Sequence, residues 1–121
     1  ARWVLALRYL GARPRPGIGV GNFASAFTLA VGDERVIGPE PVRVGRDPDA
    51  GLRVVSNAVG RLHCMLWLAD DGAGLVVHDR STLGTFCNGA RLPATPTRVE
   101  PGDVLSIADV FDFAVVTAAP A

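Results

Sequence analysis

Residues 79–89 read DRSTLGTFCNG: an acid, hydroxyls, two glycines and an Asn around a short apolar stretch. Gly84 and Gly89 mark points where the backbone turns, and Thr85, Phe86 and Cys87 between them are just long enough for one strand. Asp79 and Ser81, two apart, fit a side chain that caps its own turn. Polar groups held on turns between rigid strands usually touch something. The segment therefore predicts a β-rich fold and a site on its loops.

The rest of the chain agrees with that prediction. Short apolar runs alternate with clusters of Gly, Pro, Asp and Asn, and none keeps a helical period, which predicts an all-β sandwich or barrel. The clearest strands are expected at 3–10, 26–31, 41–45, 63–69, 74–79, 103–107 and 112–116. Cys64, Leu66 and Leu68 alternate with His63, Met65 and Trp67, and Val42 and Val44 flank Arg43, so each run should bury one face. Turns are expected at GDER (32–35), DPDAG (47–51), DDGAG (70–74), CNGA (87–90) and EPGD (100–103). GARPRPGIGVGNFAS (11–25) reads as a flexible loop, and 117–121 as a frayed tail.

With 121 residues, 49% of them hydrophobic, the chain suits one domain covering 1–121, with a core of about 3–116. Twelve basic and twelve acidic residues cancel, which argues against a nucleic-acid surface. Every basic residue is Arg, whose planar fork suits phosphate and carboxylate. No apolar run is long enough for a membrane helix, and the opening stretch carries Arg8, so neither membrane insertion nor a signal peptide is expected. Met65 is the only methionine, which suggests a piece of a longer protein. Cys64 and Cys87 read as reduced thiols in a cytoplasmic setting rather than a disulfide. The abundance of Ala, Gly, Arg and Pro hints at a GC-rich bacterial source.

Catalytic and cofactor chemistry find little support. GIGVGN (17–22) has Asn22 where a dinucleotide fingerprint needs its third glycine, and no helix follows it. His63-Cys64 and His78-Asp79, read as strand neighbours, offer one ligand per pair at most, too few for zinc. Ser81, His63 and Asp79 lack a nucleophile elbow. Neither an enzyme, a metal site nor a cofactor is expected. What does recur on the turns is Arg beside Gly and hydroxyls, a combination suited to charge-assisted bonds to a phosphate.

Four motifs then follow in order: Gly45-Arg46 after a strand, Gly60-Arg61-Leu62-His63, the complete 79–89 segment, and Gly102-Asp103 before a strand. Together, over roughly Trp3 to Val116, they resemble the forkhead-associated (FHA) domain, which captures phosphothreonine in extended peptides. The resemblance implies a two-sheet β-sandwich of about eleven short strands. It also implies a non-catalytic interaction module whose partner is a phosphothreonine protein or peptide made by a Ser/Thr kinase. Arg46 would reach the phosphate, Arg61 would lie on the adjacent loop, and Gly60, Ser81 and Thr82 would line the peptide site. Gly45, His63, Gly84, Asn88 and Gly89 would brace the loops. Gly60 stands where the family carries a Ser, so a hydroxyl is missing and only its N–H would be available. Leu83 stands where many members carry an Asn. These departures imply weakened binding, or alternatively an FHA-fold assembly domain independent of phosphorylation.

Overall fold

The computed structural model describes residues 4–13, 15–18 and 30–118. Among them run eleven strands: β1 (Val4–Ala12), β2 (Glu34–Ile37), β3 (Val42–Gly45), β4 (Leu52–Arg53), β5 (Cys64–Leu68) and β6 (Leu75–Asp79) come first. β7 (Thr85–Cys87), β8 (Ala90–Arg91), β9 (Thr97–Val99), β10 (Val104–Ile107) and β11 (Phe111–Ala118) complete them. One sheet has the order β2-β1-β11-β10-β7-β8 and the other β4-β3-β5-β6-β9. This is an all-β sandwich, one of the two architectures the alternation predicts, in the two-sheet form with eleven strands that the resemblance implies.

The core follows from period-two burial. Leu5, Leu7 and Tyr9 of β1 point inward with Ile107, Phe111 and Phe113, and meet Val44, Cys64, Leu66, Leu75 and Val77 from the facing sheet. Tyr9 lies opposite Phe113 in the ladder, with ring centroids 5.2 Å apart. Burying a side chain of this size is worth roughly 1.5–3 kcal/mol, so these rows hold the sheets face to face.

Several boundaries differ from expectation. Glu34 and Arg35, read as part of a turn, belong to β2, because they pair with Arg8 and Leu7. β4, β8 and β9 are two or three residues long; strands that short exist through their partners and leave little trace in sequence. Of the strand expected at 26–31, residues 26–29 lie outside the described residues, and Ala30 and Val31 stand at the turn before β2. Gly11 and Ala12, assigned to the flexible loop, extend β1 by pairing with Asp112 and Phe111 after a bulge. Arg13 is anchored too, by a bond from its N–H to the Val110 carbonyl and by the carboxylates of Asp112 and Asp109. Residues 14 and 19–25 of that loop lie outside the described residues. Thr117 and Ala118, expected in the tail, are the last rungs of β11, while 119–121 lie outside the described residues.

Val4 pairs with Ala118 at one end of the sandwich, and β11 begins at Phe111, its other end. Eight residues at about 3.3 Å each separate the two ends by roughly 25 Å. The loops after β3, β4, β6 and β10 gather at the Phe111 end: the Ala108 N–H donates to the Gly84 carbonyl at 2.9 Å, and the bonds described next tie the other three.

Candidate functional site

Backbone bonds fasten the loop after β3 to the loop before β5. The Arg46 N–H donates to the Gly60 carbonyl at 2.9 Å, and the Asp47 N–H to that of Arg61 at 3.2 Å. The approach is so close that a Cβ on Gly45 would stand 2.0 Å from the Arg61 carbonyl oxygen. Gly45 is therefore required by space; no positive φ is involved.

His63 ties this pair of loops to a third. It is fully buried. Its Nδ1 accepts the Gly60 N–H at 3.2 Å, and its Nε2–H donates to the Gly84 carbonyl at 2.8 Å, a tautomer assigned from the network. The strand alternation that groups His63 with Met65 stops short of it, because His63 precedes β5 and its buried ring lies among the loops. The same bond corrects a second expectation: the Gly60 N–H is committed to His63 and is not free for an anion.

The 79–89 segment is a knot built on Asp79. One buried carboxylate oxygen accepts from the Ser81 N–H (3.2 Å), the Ser81 hydroxyl (2.7 Å) and the Thr85 hydroxyl (2.9 Å). Ser81 Oγ in turn accepts the Gly84 N–H at 2.8 Å. The single Ser81 proton thus goes to Asp79, and this hydroxyl shapes the turn. Gly84 sits at φ +97°, where a Cβ would also meet Arg91 Nε at 2.9 Å. Asn88 (φ 51°) and Gly89 (φ 85°) make the two-residue hairpin turn between β7 and β8. Asn88 also donates to Asp103 and accepts the Val104 N–H. The turn brings β8 back along β7, so that Arg91 donates to the Thr82 carbonyl at 3.0 Å. Asn88 and Gly89 thereby act on the loop from the far end of the hairpin.

Between these loops lies a cavity of about 280 Å³, lined by Arg46, Asn57, Val59, Gly60, Thr82 and Leu83 among others. Arg46 is exposed and its Nε donates to the Val59 carbonyl, which fixes the guanidinium while both terminal nitrogens have no partner among the described residues. The Thr82 hydroxyl is likewise unpartnered. Of the expected site residues, Arg46, Gly60 and Thr82 line this cavity, and Arg61 lines its neighbour with Arg46, Asp47 and Pro48. Asn57 and Arg91 were missed. Asn57 carries no local signal, whereas Arg91 was within reach from the Asn88-Gly89 register, which sets it opposite Phe86.

Arg8, Arg13, Arg15 and Arg98 are ion-paired, whereas Arg46, Arg53, Arg61, Arg80 and Arg91 make no ion pair among the described residues. Arg53 Nε donates to the Arg46 carbonyl, and the Arg80 N–H to that of His63, so these unpaired cations gather at the loop end. His63 has both ring nitrogens committed to backbone and Ser81 is committed to Asp79, so these groups do not form a nucleophile and base pair. Both cysteines are free; burial pushes the Cys64 thiol up to about 12.

Burial holds the His63 pKa below its ordinary value, only partly opposed by the bond to Gly84. The folded state then binds fewer protons than the unfolded one below pH of about 6.5, so stability falls as pH drops through that value towards the lowered folded pKa. Asp103, held low first by the Glu100 N–H and then by Asn88, loses its contribution only below the usual carboxylate range. Urea midpoints should therefore be level above pH 7 and decline between pH 6.5 and 5.5. A level profile there would contradict the buried neutral imidazole.

The family model of the FHA domain matches residues 42–108. An ABC transporter ATP-binding/permease protein of Mycobacterium tuberculosis is 31% identical over 102 residues, 82% of this chain, which spans only 11% of that transporter's length. Among solved structures, the FHA domain of CT664 protein from Chlamydia trachomatis superposes with a TM-score of 0.70 at 18% identity, over 96% of this chain and 99% of that one. Mycobacterium tuberculosis EmbR, solved with a low affinity phosphopeptide, gives 0.69 at 22% identity over 98% of this chain and 25% of its own. A family match over 42–108, more than half of the 121 residues, on a sandwich of the same layout, means that this chain belongs to the FHA domain family.

Proposed function

We propose that the whole chain is one phosphothreonine-peptide-binding module that mediates protein–protein interaction without catalysis. The observation that carries this is Arg46, a guanidinium held by the Val59 carbonyl with its two terminal nitrogens unpaired, sharing a cavity with the unpaired Thr82 hydroxyl. A bidentate fork and a hydroxyl donor suit a phosphate dianion. The phosphopeptide bound by EmbR on the same fold supports the assignment. Arg61 flanks the site, while His63, Gly45 and the Asp79–Ser81 knot keep its walls in place. The ligand would be the product of a Ser/Thr kinase acting in the cytoplasm, and the module a cytoplasmic part of a longer chain.

Gly60 sets the affinity. It has no hydroxyl, and its N–H goes to His63. The nearest atoms to a Cβ there are Leu62 O at 3.5 Å, His63 Cα at 3.7 Å and Leu62 C at 3.8 Å, ordinary contacts, so a Ser fits. A bond to a charged group is worth roughly 1.5–3 kcal/mol, so Gly60→Ser should tighten phosphothreonine binding about tenfold or more. The test is calorimetric titration of wild type and Gly60→Ser with phosphothreonine, phosphoserine and unphosphorylated peptide libraries. Phosphothreonine binding is ruled out if both proteins bind phosphorylated and unphosphorylated peptides alike.

The committed Gly60 N–H also favours a second reading, a domain that docks partners independently of phosphate. Its surface would have to include Leu10, Val31 and Val36, the exposed large apolar residues away from the cavity. The Arg8–Glu34 ion pair stands between Leu10 and Val36 on that face. This interruption makes phosphate recognition the better-supported function.

A further inference from the structure

Of the asparagines in the chain, Asn22, Asn57 and Asn88, only Asn88 is followed by a glycine. Asparagine is among the thermolabile side chains, and Gly89 has no side chain to shield its backbone nitrogen from the neighbouring amide carbon. Phe23 and Ala58 hinder the same approach at the other two positions. Asn88 is exposed, at the tip of the hairpin between β7 and β8. We propose that Asn88 is a deamidation site, held shut in the folded domain by Asp103 and Val104, whose conversion to aspartate or isoaspartate releases the loop that Arg91 holds. In that reaction the Gly89 nitrogen loses its proton and bonds to Asn88 Cγ, the amide nitrogen leaves as ammonia, and a succinimide ring closes. Water, the only co-reactant, then adds to either ring carbonyl and breaks that carbonyl's bond to the Gly89 nitrogen, which regains a proton.

The first observation is the clamp. Asn88 Nδ2 donates to Asp103 at 3.0 Å and Oδ1 accepts the Val104 N–H at 2.9 Å. The amide is thus bound through both its nitrogen and its oxygen, and must leave both partners before Cγ can swing towards the Gly89 nitrogen. Asp103 is itself fixed, accepting the Glu100 N–H at 2.8 Å. That bond first, and Asn88 second, hold its carboxyl below the usual range, so the charged acceptor persists at the mildly alkaline pH where the backbone nitrogen reacts fastest. The second observation is how little else holds the hairpin. β8 is two exposed residues at a sheet edge, pairing with β7 alone. Exposed edges with few buried contacts open first.

The third observation is that neither product fits the closed turn. Aspartate at this position sets a carboxylate where the amide nitrogen stood, within hydrogen-bond distance of Asp103, and like charges that close repel. Isoaspartate routes the main chain through Cβ and lengthens a two-residue turn by one atom. The register that sets Arg91 opposite Phe86 is then lost, and with it the 3.0 Å bond from Arg91 to the Thr82 carbonyl. Thr82 lines the cavity with Arg46, so a reaction at the hairpin tip reaches the peptide site. That last consequence rests on phosphothreonine recognition; the chemistry at Asn88 does not. Asp71-Gly72 can close a similar ring, but by losing and regaining water, which leaves the mass unchanged.

The experiment ages the full chain in warm, mildly alkaline buffer and digests it with trypsin. Cleavage after Arg80 and Arg91 yields the fragment 81–91, in which Asn88 is the only amide side chain. Its mass reports deamidation, and methylation by an isoaspartyl methyltransferase reports isoaspartate. Wild type, Asp103→Ala and Asp103→Asn are compared while folded and in urea. Folded Asp103→Ala should deamidate about tenfold faster than folded wild type, since one charge-assisted bond is gone. Asp103→Asn keeps an acceptor oxygen without the charge and should fall between. Urea should bring all three to one faster rate. Melting curves verify that each variant is folded at the incubation temperature, and should Asp103→Ala not be, Asp103→Asn decides. Equal rates for wild type folded and in urea, folded Asp103 variants at the wild-type rate, or an intact Asn88 even in urea, each overturn the proposal. Asn88→Asp should melt lower than wild type, and phosphothreonine-peptide binding by aged protein should fall in step with the deamidated fraction. Binding that survives full deamidation severs the link to Thr82 and overturns that part. Should fresh protein bind no phosphopeptide, phosphothreonine recognition itself fails, and the deamidation site is judged by fragment mass and melting temperature alone.

Discussion

Arg46→Ala should lower phosphothreonine-peptide affinity by about 100-fold or more, because two charge-assisted bonds worth roughly 1.5–3 kcal/mol each disappear together. The loss should be almost wholly functional. Arg46 is exposed, its side chain makes one internal bond, to the Val59 carbonyl, and its backbone bonds survive truncation to Ala, so the melting temperature should move little. Arg46→Lys separates charge from geometry: an ammonium keeps the attraction but cannot span two phosphate oxygens as a fork does, and should recover only part of the affinity. Full affinity in Arg46→Ala, measured by calorimetry on a folded protein, would sink the phosphate site as described.

Gly45→Ala should be the most damaging single methyl among the described glycines. Its Cβ would lie 2.0 Å from the Arg61 carbonyl oxygen, 2.7 Å from the Arg61 carbonyl carbon and 2.8 Å from the Gly60 oxygen. These are backbone atoms held by bonds from Arg46 and Asp47, so relief requires the loops to part. Overpacking typically costs about 1–3 kcal/mol, and breaking the two backbone bonds adds about 1 kcal/mol each. For a domain of this size the melting temperature should fall by about 10 °C or more. Peptide binding should weaken even in the cold, where the protein stays folded, because Gly60 and Arg46 would no longer share a wall. Gly38→Ala is the control, since nothing stands within 4 Å of its Cβ; equal melting temperatures for the two variants would refute the crowding.

The two-sheet fold was legible because the central strands announce themselves. β5 and β6 alternate cleanly, and Asn88-Gly89 names its own turn type. β2 was hidden because ERVI is a short edge strand with a polar start, so GDER looked like nothing more than a turn. His63 shows the limit within the site. Alternation sets it on the face opposite Cys64 and the resemblance implies that it braces the loops, but only the closure of three loops shows a buried ring bonded to Gly60 and Gly84. Ser81 divides the two readings: its pairing with Asp79, two residues earlier, was legible as a turn cap, whereas the ligand contact that the resemblance implies competes with Asp79 for its proton. Arg46 and Thr82 were legible as candidates through the motifs that resemble the family, whereas which hydrogen bonds were already taken depended on distances that no pattern encodes.

β1 and β11 run antiparallel, with the rung Val4–Ala118 nearest both chain ends and Phe111 near the loops. Tension applied through the two ends would open that ladder like a zip fastener, one rung at a time, starting about as far from the cavities as the sandwich allows. Each rung would bear the load alone, so the yield force should be low. The first steps of such an extension would still leave Arg46, Gly60 and Thr82 in place, and a tethered domain could therefore hold its ligand while its tail is being unpicked.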